Sequence, residues 1–305
     1  MPVMTPDDRY NNLHRQWKRN RDTYMGQKKI HDGGEAYLPS LGDMDMRTKE
    51  GQKLYKTFKN RTLFFNATGS TVDGLVGLIF RKEPVNKLPE AIEYLSNSVN
   101  LTNQTLKEFE AKAVREIMLT DIVGIHTTMP TVPSGTSKAD AEKMNIRVYL
   151  TMYKAEDILK VYYSNINNVL ELEMIVLREF VECKTSDEFE RETVEQYRVL
   201  DLEEVEGSRI YRERVFDEAG DLISEIIPKI NNETFSQIPF ELLSVNDMGK
   251  ATVEDLVNAN INHYQYNASY SWGVYQLGFP TPYATGVSDK EVPTTIGPGS
   301  FWVSS

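Results

Sequence analysis

TVEDLVNANINHYQYNASYSWGVYQLGFPTPYATG, residues 252–286, reads as one long helix with a hard stop. Thr252 and Asp255 form a capping-box-like start, and Glu254 adds negative charge to the first turn. Val253, Leu256, Val257, Ile261, Tyr264, Ala268, Trp272 and Tyr275 recur at spacings of three and four, so they share one face. Asn258, Asn262, Gln265, Ser269 and Gln276 make a second, polar face. Gly278 and Pro280 end the run, which sets the helix at about 252–277. At 1.5 Å per residue that is roughly 38 Å, long for a globular helix. No Lys or Arg occurs from 251 to 289.

Upstream of this helix lies a β-rich block, 146–245. RVYLTMY (147–153) alternates apolar and polar, and strands are expected near 161–163, 169–180, 194–202, 209–216 and 222–230. Ile238-Pro-Phe opens the last strand, and Asn246-Asp-Met-Gly turns the chain into the helix. Residues 133–145 are polar and Gly/Ser-containing, a flexible loop. IVGIHTTMPTV (122–132) reads as a buried strand in which His126 is a satisfied core or edge histidine.

The first third is helical in pattern. Thr5 as cap, Pro6 at the first helical position and Asp7-Asp8 in the first turn start a helix over 5–30. Its stripe of Tyr10, Leu13, Trp17 and Tyr24 is partial, and Arg9, Arg15, Lys18, Arg19 and Arg21 make the rest basic, a solvated surface helix. Residues 31–47 are a loop, and the spacing of Asp43 and Asp45 matches no calcium-loop pattern. Residues 48–82 form a second helical block with a dense core of Leu54, Phe58, Leu63, Phe65, Val72, Leu75, Val76, Leu78, Ile79 and Phe80. Gly69, Gly74 and Gly77 allow close helix approach or break that block near 69. Two more helices are expected over 88–99 and 104–122. The fold class is therefore α+β: N-terminal helices (1–130), a central acidic β-rich part (131–250), then the long helix and the start of a following strand segment (251–305).

Charge is unevenly distributed. The net charge of −11 combines +4 over residues 1–60, −1 over 61–130, −11 over 131–250 and −3 over 251–305. Tight nucleic-acid binding needs a basic footprint, which the chain as a whole lacks. No apolar run is long enough for a membrane span, and no signal peptide is expected. One cysteine, Cys183, excludes an internal disulfide and a cysteine zinc site. There is no G-x-S-x-G elbow, H-E-x-x-H or Walker A motif. Gly74-Leu-Val-Gly77 is not a phosphate loop, because no strand precedes it and no Gly-Lys-Ser/Thr follows. No catalytic, cofactor-binding or metal-ligating residue is assigned. The enzyme alternative is a metal-dependent nucleic-acid enzyme using Glu188, Glu190, Asp201 and Glu203, which requires those carboxylates to converge; Glu188, Glu190 and Glu192 alternate as a solvated charge run instead. A monomeric adaptor or scaffolding protein is a further reading.

RTLFFNATGSTVDGLVGLIFRKEP (61–84) resembles the opening block of a domain-of-unknown-function family of tailed-phage proteins grouped with portal proteins. YLTMYKAEDIL (149–159), IVLREFVE (175–182), EQYRVLDL (195–202), IPFELLS (238–244) and residues 256–286 follow in the order of that family, so the resemblance spans roughly 35–299. The resemblance implies a ring-shaped homo-oligomer, typically a dodecamer, at one vertex of a phage head in the virion, assembled in the bacterial cytoplasm. Its partners would be its own copies, the terminase, the head-tail adaptor, the major capsid protein and double-stranded DNA sliding through without tight binding. It implies a portal-like wing and a candidate stem helix. Asn258, Asn262, Gln265 and Ser269 are then the channel-facing candidates, since a wall of amides and hydroxyls does not grip phosphate. The chain departs from the pattern by ending after residue 305 on an apolar strand-like segment, Phe301-Trp302-Val303, so a C-terminal truncation is expected. The basic N-terminal helix and the acidic β block are expected to pair between neighbouring copies.

Overall fold

The computed structural model describes residues 2–42, 44–128, 130, 140, 143–166, 168–185, 187, 189–205, 207–230, 233–278, 283–285 and 302–304. Asp43, Glu188, most of the loop at 133–145, and Phe279, Pro280 and Phe301 lie outside these residues. The chain has the α+β composition the sequence implies, and it groups into two compact units. The larger contains Met1–Asn20 and Val72–Glu254, the smaller Arg21–Thr71 and Asp255–Ser305.

In the larger unit, β3 (Ile158–Ile166), β4 (Val169–Lys184), β5 (Arg191–Val205), β6 (Ser208–Phe216) and β7 (Leu222–Ile226) form an antiparallel meander in sequence order. Asn168 (φ 64°) and Gly207 (φ 78°) supply the left-handed backbone of two of its hairpin turns. A second sheet runs β10 (Phe240–Leu243), β1 (Val123–Thr128), β2 (Tyr149–Lys154), again antiparallel. Gly124 is required there: a Cβ would sit 2.2 Å from the Phe240 ring. Two short strands, β8 (Lys229–Ile230) and β9 (Glu233–Thr234), pair beside these sheets in sequence. The core joins Ile175, Leu177, Val199, Leu200 and Tyr211 with Ile122, Tyr153, Ile158 and Phe240.

Helix α1 (Asp8–Met25) is not the solvated surface helix its basic residues suggest. Trp17 is fully buried and Tyr10 is buried, both within that core. Two of its basic residues are used inward, while Arg15 and Lys18 are exposed: Arg9 donates to the Ile158 carbonyl at 2.8 Å, and Arg19 pairs with Glu254 at 2.9 Å. The cap is Asp7 rather than Thr5. Its carboxylate accepts from the Tyr10 N–H at 2.8 Å and also from the Val161 N–H, which ties the helix start to β3. The expected helix over 88–99 is a 3-10 segment, Glu90–Ser96. Helix α5 (Leu106–Thr120) has a complete Thr105/Glu108 capping box and ends at Asp121 in the left-handed region. The buried Asp121 carboxylate accepts from Ser244 Oγ (2.7 Å) and from the N–H groups of Val245 (3.1 Å), Asn246 (3.0 Å) and Gly249 (3.2 Å).

A polar chain runs through the core between the two sheets. His126 Nε2 lies 3.2 Å from the Tyr211 hydroxyl, which donates to Glu213 at 2.7 Å. Arg198 bridges Glu213 (3.1 Å) to Glu179, which it grips with both Nε (2.7 Å) and a terminal nitrogen (3.1 Å). Tyr153 and Gln196 also donate to Glu179. Burial, reinforced by the Arg198 charge, pushes His126 down to about 4. Burial alone would raise Glu179, but the hydrogen bonds and charge of Arg198, with Tyr153 and Gln196, hold it below its usual range. Both groups bind fewer protons folded than unfolded, so each favours the folded state at high pH. Stability should therefore fall on acidification from about pH 6.5 towards 4, by on the order of 3 kcal/mol for His126 alone, with Glu179 adding its loss below its unfolded value. Urea titrations between pH 8 and 5 read this directly; His126→Gln should flatten the slope, and an unchanged slope would assign it elsewhere.

The helical block expected over 48–82 is two helices, α3 (Lys49–Arg61) and α4 (Ala67–Ile79), with α4 passing from the smaller unit into the larger. The break falls at 62–66 rather than at Gly69. Helix α2 (Gln27–Gly33) follows α1 after Gly26 at φ 85°, where the expected helix over 5–30 is interrupted. Residues 283–285 (β11) and 302–304 (β12) pair in parallel. The dense core expected of 54–80 is only partly a core. Phe58, Val72 and Val76 are buried, whereas Leu63, Phe65, Leu75, Leu78 and Ile79 are exposed. A Cβ on Gly74 or Gly77 would meet nothing within 4 Å, so neither marks a close helix approach.

Candidate functional site

Helix α6 (Glu254–Leu277) has three faces rather than two. The buried face carries Val257, Ile261, Tyr264, Ala268 and Trp272, in agreement with the spacing in the sequence. Trp272 meets Phe58 of α3 edge-on at 5.6 Å, and Tyr264 meets Phe64 edge-on at 5.6 Å. Burial raises the Tyr264 hydroxyl well above its ordinary value. Arg61 stacks its guanidinium over Tyr275, 3.8 Å from the ring centroid.

One polar residue sits on the buried side. Asn260 accepts from the N–H and hydroxyl of Thr68, both at 3.0 Å, and donates to the Phe65 carbonyl at 2.8 Å. Asn267 donates to the Leu63 carbonyl at 3.0 Å. The extended run 62–66 thus lies along α6, held through its backbone. This alternation turns Thr62 and Phe64 inward and Leu63 and Phe65 outward. Asn66 then caps α4 through the Gly69 N–H (2.8 Å) while its amide donates to the Tyr24 carbonyl (2.9 Å). The FFNAT run is therefore a helix cap and a docking strip for α6. Replacing Asn260 by Leu strands two donors and a carbonyl and should cost about 2–3 kcal/mol, measured by urea unfolding, with Thr68→Val costing less.

Of the channel-facing candidates, Asn258, Asn262 and Ser269 are exposed. Gln265 is half-buried, and its amide donates to the Tyr37 carbonyl at 2.9 Å. Ser269 donates to the Gln265 carbonyl within the helix.

The third face was not separated in the sequence reading. Tyr266 (77 %), Tyr270 (73 %), Val274 (53 %) and Leu277 (86 %) are exposed, at helical spacings of four, four and three. Leu63 and Phe65, whose carbonyls accept from Asn267 and Asn260 of the helix, are also exposed. The signal was present: a second run of large residues, offset from the first by roughly half a turn. Past Asp255 the helix holds no charged residue other than the ionisable His263, so the stripe has no charged border on its own element.

The carboxylates considered for metal chemistry have other uses. Asp201 is buried and paired with Arg212 (2.7 Å) and Arg214 (3.0 Å), and Glu203 shares Arg212 at 3.2 Å. Glu190 and Glu192 are exposed near the β4–β5 turn. Among the described residues no group of three or more His, Cys, Asp or Glu is placed to hold a metal ion, and no helix is long and apolar enough to cross a membrane.

Residues 252–305 match a family described as a domain of unknown function (DUF4055). The DUF4055 match begins two residues before α6 and includes all three of its faces. No curated protein matches the chain.

Proposed function

We propose that this chain is a structural subunit of a tailed-phage portal ring: copies assemble around a channel for DNA packaging and ejection at the head vertex and present a platform to terminase, head-tail adaptor and capsid protein. The ordered resemblance of residues 35–299 to that phage family supports the reading. The observation that carries the reading is α6 itself. It combines an exposed amide and hydroxyl face (Asn258, Asn262, Ser269) with an exposed apolar stripe (Tyr266, Tyr270, Val274, Leu277) on a helix free of Lys and Arg. An apolar stripe of this kind suits cover by a neighbouring copy, and a wall without cations suits DNA that must slide.

The first test is the mass of the protein in solution by light scattering, with negative-stain images of the same sample. A closed ring supports the reading, and a monomer at every concentration overturns it. Placing cations in the stripe (Tyr270→Lys with Val274→Lys) should dissociate the ring without unfolding the chain. The DNA part is tested separately. Asn258→Arg, Asn262→Arg and Ser269→Arg together should convert weak binding into salt-dependent binding, steepening the slope of log K against log salt by about 0.9 per phosphate engaged. Equal salt dependence in the parent and variant rings would remove α6 from the channel wall.

A further inference from the structure

The larger unit carries two features that fit each other but stand apart on one copy. The first is a groove of about 360 Å³ lined by Tyr163, Leu170, Glu171, Ile238, Phe240 and Glu241 among others. On the meander side it is walled mainly by residues 169–172 of β4, with Tyr163 of β3 and Leu202 of β5, and on the other side by 237–242, which run into β10, the outer strand of the three-stranded sheet. Tyr163 and Leu170, 40 % and 67 % exposed, and the exposed Glu241 stand at its mouth, while Glu171 is paired with Arg209 at 3.5 Å.

The second feature is the segment 81–88, RKEPVNKL, which is neither helix nor strand. Pro84 and Pro89 fix their own φ and bias Glu83 and Leu88 to extended backbone. The segment is laid along α5 by two bonds of matching spacing: Lys107 to Glu83 at 2.6 Å, and Asn86 to Glu110 at 3.1 Å. Val85 sits between these anchors, 85 % exposed, with exposed Arg81, Lys82 and Lys87 around it. Leu88 packs on the cluster containing Leu150 and Met152 of β2.

We propose that the segment 81–88 of one copy docks in the groove between β4 and β10 of the next, Val85 entering beside Leu170 and Lys87 meeting Glu241. Charge complementarity selects this occupant: a basic, proline-stiffened extended segment with one bare apolar side chain against a groove that offers the exposed Leu170 side chain and the exposed Glu241 carboxylate. Because donor and acceptor differ, the contact is heterologous and propagates head to tail. It rests on the ring reading above and names one of the surfaces that would build the ring.

The test uses the full chain with the exposed Cys183 replaced by Ser. Val85→Cys combined with Leu170→Cys should cross-link under mild oxidation into a ladder of multimers, whereas either change alone should give none beyond dimer. Glu241→Lys and Lys87→Glu should each weaken assembly by about tenfold or more, and combining them should restore it, since like charges across a contact cost far more than a swapped pair. A ring that persists with no ladder, or a swap that fails to rescue, overturns the contact while leaving the ring reading intact. A ladder without ring closure keeps the contact and removes the ring. A chain that stays monomeric overturns both.

Discussion

Replacing Asp121 by Ala should lower the stability of the larger unit by about 3 kcal/mol, one of the two largest effects expected here. Two causes add. The fully buried carboxylate gathers one hydroxyl and three N–H groups from 244–249, and Ala leaves them to partial hydration. Asp121 also closes α5 at φ 64°, a conformation that costs a Cβ-bearing apolar residue about 1–2 kcal/mol. Asp121→Gly separates the two causes: it deletes the same acceptor but relaxes the backbone, so it should recover about 1 kcal/mol relative to Ala. Asp121→Asn keeps an acceptor and a tolerant backbone and should be the mildest. The measurement is urea unfolding of the three variants. Equal losses for Ala and Gly would refute the backbone contribution, and a loss under about 1 kcal/mol for Ala would refute the cap.

Arg198→Met should cost about 3–5 kcal/mol, because it leaves Glu179 and Glu213 buried without their shared counter-charge. Lys at the same position should recover little. An ammonium cannot hold both Glu179 oxygens, at 2.7 and 3.1 Å, while reaching Glu213 on its other side. Adding Glu179→Gln to Arg198→Met should return part of the loss, since it removes one of the two stranded charges. A double-mutant cycle by urea unfolding measures the coupling. Strict additivity would show that the bidentate contact contributes no energy of its own.

Much of the secondary structure was legible because short-range chemistry sets it. Spacings of three and four placed the buried face of α6, and strands were expected at 169–180, 194–202 and 209–216, where β4 to β6 run. Side-chain fate was less legible. The basic residues of α1 suggested a solvated helix, but Arg9 and Arg19 found a carbonyl and a carboxylate on distant segments, and Trp17 is buried in the core. Asp201 looked like one of many acidic residues, and only the register of β5 on β6 brings Arg212 and Arg214 to it. Asn260 did carry a sequence signal, as a polar residue on the apolar line between Val257 and Tyr264. Its partners at Phe65 and Thr68 are nearly two hundred residues away in sequence, beyond any local rule.

The sequence by itself determined the α+β class, the order of helices and strands, the acidic balance and the cation-free long helix. Each of these follows from composition or from periodicity within one element. The tertiary structure decided which apolar residues are covered. Leu63, Phe65, Leu75, Leu78 and Ile79 carry the same hydrophobicity as Phe58 and Val76, yet they remain exposed while those two are buried. Periodicity assigns a residue to a face of its own element. Burial depends on whether another element reaches that face, and that contact is made by distant parts of the chain.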